Sequence, residues 1–379
     1  MNKIKEFCRT IDWNEIGIVA FYGYFAINIL MKAFAYNHGD GIYKYFFAFT
    51  MIFWAIKMVT TKYTLRETIW ICILMGAGLG LSVYTKQNTW LLLFMTMVAM
   101  KNCTFLNMVK IDVYIRTFCM LILTVGSIFG AYDIGKTVTV DTKYVEIDVY
   151  SFGLVEPNTA FLTLFITINI LLYYNYEKLN WKWFVATTAI AIGFYEFTFC
   201  RTGIAVFFFN WLLIIFEKLI KNHRVKIILA LSVPVGTIFS FITMLVYNAS
   251  NPLMKLMNHL VSGRIYIMNS YFKDQGISFL PRTQEIFYAS YHGLIDNTYM
   301  FVFLYCGVIV ALLFLAAVCW NLFRLYRGRY YKELVMIGCM ALYAVLEQFV
   351  MNGFMNIYIL LCAASLYPGI MDGMKPSQD

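Results

Sequence analysis

Two arginines stand where an arginine is costly. Arg201 lies in FTFCRTGIAVFFF, between two apolar runs with no room for a loop, and Arg264 lies in LVSGRIYIMNSYF, inside the one long polar interruption of the chain's second half. A charge near a membrane without an evident structural reason is a functional-site hypothesis by default. A guanidinium presents several rigid donors at once, which suits it to the oxygens of a phosphate or pyrophosphate. An arginine that only snorkels its charge to lipid headgroups would have the same sequence. Glu196, one turn before Arg201, reads either as its ion-pair partner or as a proton acceptor. Left unpaired in the membrane it would cost about 2–3 kcal/mol.

Further polar candidates cluster with these two. Arg282 follows Pro281 in the same interruption, which also carries Lys255 and Lys273. An anionic substrate would give this basic stretch a purpose. YASYHGLIDNTYM, where the interruption ends, holds His292, Asp296, Asn297 and Tyr299. A His and an Asp four residues apart share a helix face if the helix starts early enough. Either could take a proton from a sugar hydroxyl. Asp296 is equally well placed to be a helix N-cap. Asn158, just after Pro157, would need a cavity to face, and Glu347, Asn352 and Asn356 are polar candidates near the end of the last two apolar runs. Tyr266, Tyr271, Phe272, Tyr288 and Tyr291 could stack on sugar rings or anchor the chain at a membrane interface.

The elements that must position these residues are membrane helices. The 379-residue chain is 61% hydrophobic and 13% charged, about half the charged fraction of a soluble domain. Its apolar residues come in long runs rather than amphipathic periods. About twelve spans are expected, at roughly 16–35, 42–59, 68–84, 89–100, 114–131, 157–174, 183–199, 202–217, 226–247, 298–320, 334–350 and 355–370. The fold class is thus an all-α polytopic membrane protein forming one membrane domain over 1–379. Lys and Arg gather in alternate loops, among them 218–226 and 324–333. The positive-inside rule then puts both termini in the cytoplasm and two long loops outside, 132–156 and 248–297. The first alternates Val, Thr, Tyr and acids like an extended flap. The second is expected to hold a short amphipathic helix from about Ser262, with Ile265, Met268 and Phe272 on one face.

Some classes are disfavoured. The polar stretch MNKIKEFCRTIDWNE and the run after it lack a signal-peptide cleavage site. The nine cysteines include no CxxC pair and the four histidines form no local ligand pattern, so neither a disulfide framework nor a metal site is expected. The net charge of +9 is dispersed over short loops, which fits membrane orientation better than nucleic-acid binding. A lipid-linked oligosaccharide flippase or another transporter would place charges at midplane on broken helices with internal repeats. Here the polar residues gather toward the external ends and no repeat is visible.

The order PNTAFLTLF, FCRTGIAVF, SGRIYIMNS and IDNTYMFVFLYCGVI, with a long external loop between the ninth and tenth spans, resembles Wzy-type O-antigen and capsular polysaccharide polymerases, relatives of the O-antigen ligases. The resemblance lies in topology over most of the chain and in short motifs. It implies a GT-C-like all-helical fold, no cofactor, and metal-independent glycosyl transfer at the outer leaflet of the bacterial cytoplasmic membrane. A glycan would pass from undecaprenyl pyrophosphate to another lipid-linked repeat unit, with membrane lipids, a flippase and a chain-length regulator as partners. A ligase would use the same donor and a different acceptor. The resemblance maps the family's pyrophosphate-binding arginines onto Arg201 and Arg264. In the ligase relatives a histidine shortly before an Asn-containing motif is a candidate base. Here HGLIDN spaces His292 away from Asn297 and puts Asp296 beside it, so the base stays a choice between the two.

Overall fold

The computed structural model describes residues 12–36, 41–130, 135–140, 146–288 and 294–377. Its helices are α1 (Trp13–Ala33), α2 (Gly41–Thr60), α3 (Leu65–Thr85), α4 (Thr89–Ala99), α5 (Phe105–Ile128), α6 (Pro157–Tyr174), α7 (Trp181–Thr198), α8 (Arg201–Leu219), α9 (Ile227–Ala230), α10 (Ser232–Val246), α11 (Pro252–Leu260), α12 (Arg264–Gln275), α13 (Gln284–Tyr288), α14 (Thr298–Arg327) and α15 (Tyr331–Leu346). Three 3₁₀ stretches, Phe349–Met351, Ile357–Ser365 and Pro368–Met371, follow. An antiparallel pair, β1 (Thr137–Val140) and β2 (Glu146–Val149), occupies the loop where alternation predicts extended chain.

Seven of the described helices are long and apolar enough to cross a membrane: α1, α2, α3, α5, α6, α8 and α14. This is the make-up of a multi-pass membrane protein. The other five expected runs form elements of a different kind. Helix α4 has 11 residues and rises only about 16 Å, short of the roughly 30 Å hydrocarbon core. Helices α10 and α15 have 15 and 16 residues. The last run coils into 3₁₀ turns, and α7 has 18 residues but is polar near both ends through Lys182 and Glu196.

Helix α15 is the hub, buried along almost its whole length and packed against α8 and α10. Helix starts are set by local chemistry. Thr64 and Glu67 form a reciprocal capping box on α3, and Asn180, Asn251 and Asn297 accept hydrogen bonds from the first turns of α7, α11 and α14.

Two tight features position the site. Between α7 and α8 the chain reverses through Phe199 and Cys200 alone, with Phe199 in the left-handed region (φ 49°) capping α7. Gly203 then lets α8 lie directly on α6, because a Cβ there would run into the Phe161 ring. Farther along, α14 loosens into a π turn at Val302–Cys306, followed by Gly307 at φ 84°. The loop from Ser278 to Arg282 docks there. The amides of Val308 and Ile309 donate to the carbonyls of Ser278 and Phe279, and the Arg282 amide donates to Tyr305 O.

Gly203→Ala is expected to wedge α6 from α8 and to destabilise the fold by about 1–3 kcal/mol, the usual cost of overpacking. Gly193→Ala, where nothing lies within 4 Å, is the matched control. Equal unfolding midpoints for the two variants in detergent would show that the contact does not constrain the packing.

Candidate functional site

Five helices meet around a polar cavity of about 600 Å³, and three of them point their N-termini at it. Helix α6 contributes Glu156, Pro157 and Asn158, α8 contributes Arg201 and Thr202, and α12 contributes Arg264 and Ile267. The end of α7 adds Thr198 and Phe199, the end of α11 adds His259, and Ser262 lies in the turn that follows. Asp296, just before α14, and Val149, on the hairpin, close the lining. Helix N-termini carry partial positive charge and unsatisfied N–H groups, which together favour an anion.

Arg201 is the first residue of α8 and is exposed, its guanidinium 5.0 Å from the Phe199 ring centroid. A cation at the positive end of a helix gains nothing from the helix dipole; a bound anion would reverse that.

Arg264 is 7% exposed at the first turn of α12. Ser262 (φ 55°) and Gly263 (φ 83°) are both left-handed, a sharp bend that turns the end of α11 and the start of α12 toward the same space. Arg264 Nη2 donates to Glu347 Oε1 at 2.8 Å and lies 3.7 Å from Asp296 Oδ2, while Nη1 donates to Val261 O at 3.4 Å. Its Nε is buried with no hydrogen-bond partner. A buried donor left unmade is costly, and this one belongs to a side chain that lines the cavity.

The two carboxylates on Arg264 feel opposing forces. Burial pushes Glu347, just beyond the end of α15, up to about 7, although Arg264 pulls it back. Burial also raises Asp296, again against Arg264, and Glu156 adds like-charge repulsion.

The structure therefore gathers Arg201, Arg264, Asn158 and Asp296 around one cavity, with Glu347 behind Arg264. Other candidates lie elsewhere. Arg282 is bound at the end of α12, donating to Gln275 Oε1, Gln275 O and Gly276 O, and does not line the cavity. Asn297 is fully buried; it caps α14 through Met300 N and donates to Ser240 Oγ and Val345 O. Tyr299 OH donates to Ala341 O in the core. Glu196 is exposed on α7 and is not part of the lining. His292 falls outside the described residues. Ser262 and His259 were missed as candidates; the Ser-Gly pair that bends the chain is the one signal that could have found them. Among the described residues no group of His, Cys, Asp and Glu is arranged to hold a metal ion.

Comparisons with protein-family models, with curated proteins and with solved structures find no match to this chain.

Glu347 competes with any anion for Arg264. Below about pH 7 its carboxyl takes up a proton, the pair weakens, and the guanidinium is freed; above it the pair tightens. Affinity for a prenyl pyrophosphate, measured by titration calorimetry, is expected to fall from pH 6 to pH 8 more steeply in the wild type than in Glu347→Gln. The variant controls for titration of the ligand itself. Parallel profiles would disprove the competition.

Proposed function

We propose that this chain is a membrane glycosyltransferase of the polysaccharide-polymerase type, moving a glycan from undecaprenyl pyrophosphate to the non-reducing end of another lipid-linked repeat unit. The observation that carries the reading is the meeting of Arg201 and Arg264, 63 residues apart in sequence, in one cavity beside the N-termini of α6, α8 and α12. Two guanidinium groups and three helix N-termini facing one space support a reading in which the ligand is a pyrophosphate, with Glu156 and Asp296 on the same wall.

The chemistry follows from the donor. The acceptor hydroxyl oxygen attacks the anomeric carbon, the bond from that carbon to the pyrophosphate oxygen breaks, and the electron pair leaves with the lipid pyrophosphate. Guanidinium groups stabilise that charge as it develops. The hydroxyl proton goes to a carboxylate. Asp296 lines the cavity and its raised pKa brings it closer to a base's working range. His292, five residues from Asn297, remains the second candidate. Asn158 would orient a sugar or phosphate oxygen. In the GT-C-like reading the donor's lipid chain stays in the bilayer while its headgroup enters the cavity.

Orientation supports the same reading. Lys182, Lys218, Arg224, Lys226, Arg324, Arg327 and Lys332 all sit at helix ends opposite the cavity. By the positive-inside rule that end faces the cytoplasm, both termini lie there, and the cavity opens at the outer leaflet of the bacterial cytoplasmic membrane. About twelve membrane-embedded segments fit this arrangement if α4, α7, α10, α15 and the Ile357–Ser365 stretch are carried within the bundle beside the seven long helices. A flippase delivering the donor and a chain-length regulator are the partners such a reaction needs.

Purified protein incubated with a lipid-linked repeat unit is expected to give a ladder of products on a gel. Arg201→Ala and Arg264→Ala should each lower the rate about a hundredfold or more, the usual cost of removing one transition-state donor. The lysine variants should fall in between, because they keep the charge and lose the planar fork. Lys273→Ala, at an exposed position on the far end of α12, should be mild. Wild-type ladders from both alanine variants at equal protein levels would remove the arginines from the reaction.

The orientation has its own check. A cysteine at position 273, in a background without native cysteines, should react with an impermeant thiol reagent in intact cells, whereas one at 222 should not. The reverse pattern would put the cavity in the wrong compartment.

A further inference from the structure

A second cleft lies away from this site and shares no lining residue with it. It has a volume of about 600 Å³. Helices α3 and α14 form its walls, and α4 with the Ile357–Ser365 stretch forms its floor. Helix α3 packs on α4 and is otherwise barely covered, only 11% of its apolar window being buried. A Cβ added at Gly76 or Gly80 would meet no other element within 4 Å. Helix α3 leans on α4 and leaves open, toward α14, a slot that water would fill only at high cost.

The slot is apolar over most of its length, with Trp70, Leu74, Phe94 and Leu313 among its lining. Its polar residues, Arg66 and Ser365, come from the same end of the bundle, the start of α3 and the end of the 3₁₀ stretch. Glu67 does not neutralise Arg66. Its carboxylate is held by Lys101 Nζ and by the Thr64 amide. Among the described residues Arg66 has no ion-pair partner. Arg324 stands behind Ser365, its Nη1 3.4 Å from Ser365 Oγ and its Nε buried without a hydrogen-bond partner. Trp320, which also lines the slot, is 66% exposed near the same end. Apolar length ending in a guanidinium, a hydroxyl and an indole, with Arg324 behind the hydroxyl and bonded to Asn321 Oδ1 and Leu361 O, matches one class of molecule. Basic pockets between membrane helices bind anionic headgroups in this way.

We propose that this cleft is a site for one anionic glycerophospholipid, its acyl chains in the slot between α3 and α14 and its phosphate at Arg66 and Ser365. A zwitterionic lipid would fill the slot equally well but would gain less from the Arg66 guanidinium. A polyprenyl chain would fill it without needing the charged end. The lipid would act as the packing that α3 lacks, so the site is independent of the transfer reaction.

The test uses the full chain reconstituted in phosphatidylcholine vesicles, with tryptophan fluorescence as the readout, since Trp70, Trp90 and Trp320 line the cleft. Brominated phosphatidylglycerol should quench at about fivefold lower mole fraction than brominated phosphatidylcholine with the same acyl chains, as about 1 kcal/mol for a basic side chain near an anionic surface requires. Arg66→Ala should erase most of that preference, Arg66→Lys should keep part of it, and Trp70→Phe with Trp320→Phe should reduce the preferential quenching to the share reported by Trp90. Equal quenching by the two lipids in the wild type would overturn the proposal without any variant. A preference unchanged by Arg66→Ala, or one seen only with a brominated polyprenyl phosphate, would overturn it as well.

Discussion

The site depends on a buried guanidinium. Arg264 is nearly sealed from solvent, held by Glu347 at 2.8 Å, with Asp296 at 3.7 Å. Removing one partner from a buried pair costs about 3–5 kcal/mol, so Glu347 fixes where Arg264 can be. Glu347 in turn is fixed because α15, the most enclosed helix, ends just before it. Thr298 Oγ1 donates to the Glu347 carbonyl, and Asn297 donates to Val345 O. The start of α14, the end of α15 and the first turn of α12 are thus tied to one another, and Asp296 is carried to the cavity by that tie. The same pairing makes the guanidinium conditional. A ligand must either displace Glu347 or use the donors it leaves free, one of which, Nε, has no partner.

Around this centre the fold supplies helix starts rather than side chains in quantity. The two-residue reversal between α7 and α8 makes Arg201 the opening residue of a helix, and Gly203 brings that helix against α6 so that Asn158 shares the space. The left-handed pair Ser262 and Gly263 does the same for Arg264. Each device is local and small. Together they aim three helix N-termini and two arginines at one volume, with carboxylates within reach to tune it. In the proposed reaction such a cavity would have charge stabilisation in place before a substrate arrived, which is the condition for electrostatic catalysis to be effective.

Much of this was legible in the sequence, and the reasons for the exceptions are physical. The absence of room for a loop around Arg201 announced the reversal, and the spacing of Ile265 and Met268 announced α12, whose buried face they form. Alternation in the 132–156 stretch announced an extended segment, and β1 and β2 lie there. Span number was harder to read, because apolar runs such as 89–100 and 334–350 look like spans whether they face lipid or other helices; α4 and α15 are short and enclosed. The partners of Arg282 and Tyr299 were illegible for a different reason. Two of the Arg282 bonds end on the carbonyls of Gln275 and Gly276, beside one to Gln275 Oε1, and Tyr299 ends on a carbonyl 42 residues away; backbone acceptors leave no trace in residue identity. Helix α11 escaped because the loop around it shows no long apolar run, although Leu253, Leu256 and Leu260 line up on one exposed face.

The central claim is that Arg201 and Arg264 hold one anion between them. A double-mutant cycle on undecaprenyl pyrophosphate binding addresses it most directly, using the wild type, Arg201→Ala, Arg264→Ala and the double variant in detergent. Two residues sharing one ligand group should be coupled, so the losses are predicted to depart from additivity by about 0.5–3 kcal/mol. Losses that add, or a full-affinity complex without either arginine, would mean that the two guanidinium groups serve separate ends and that the cavity is not the site of the pyrophosphate.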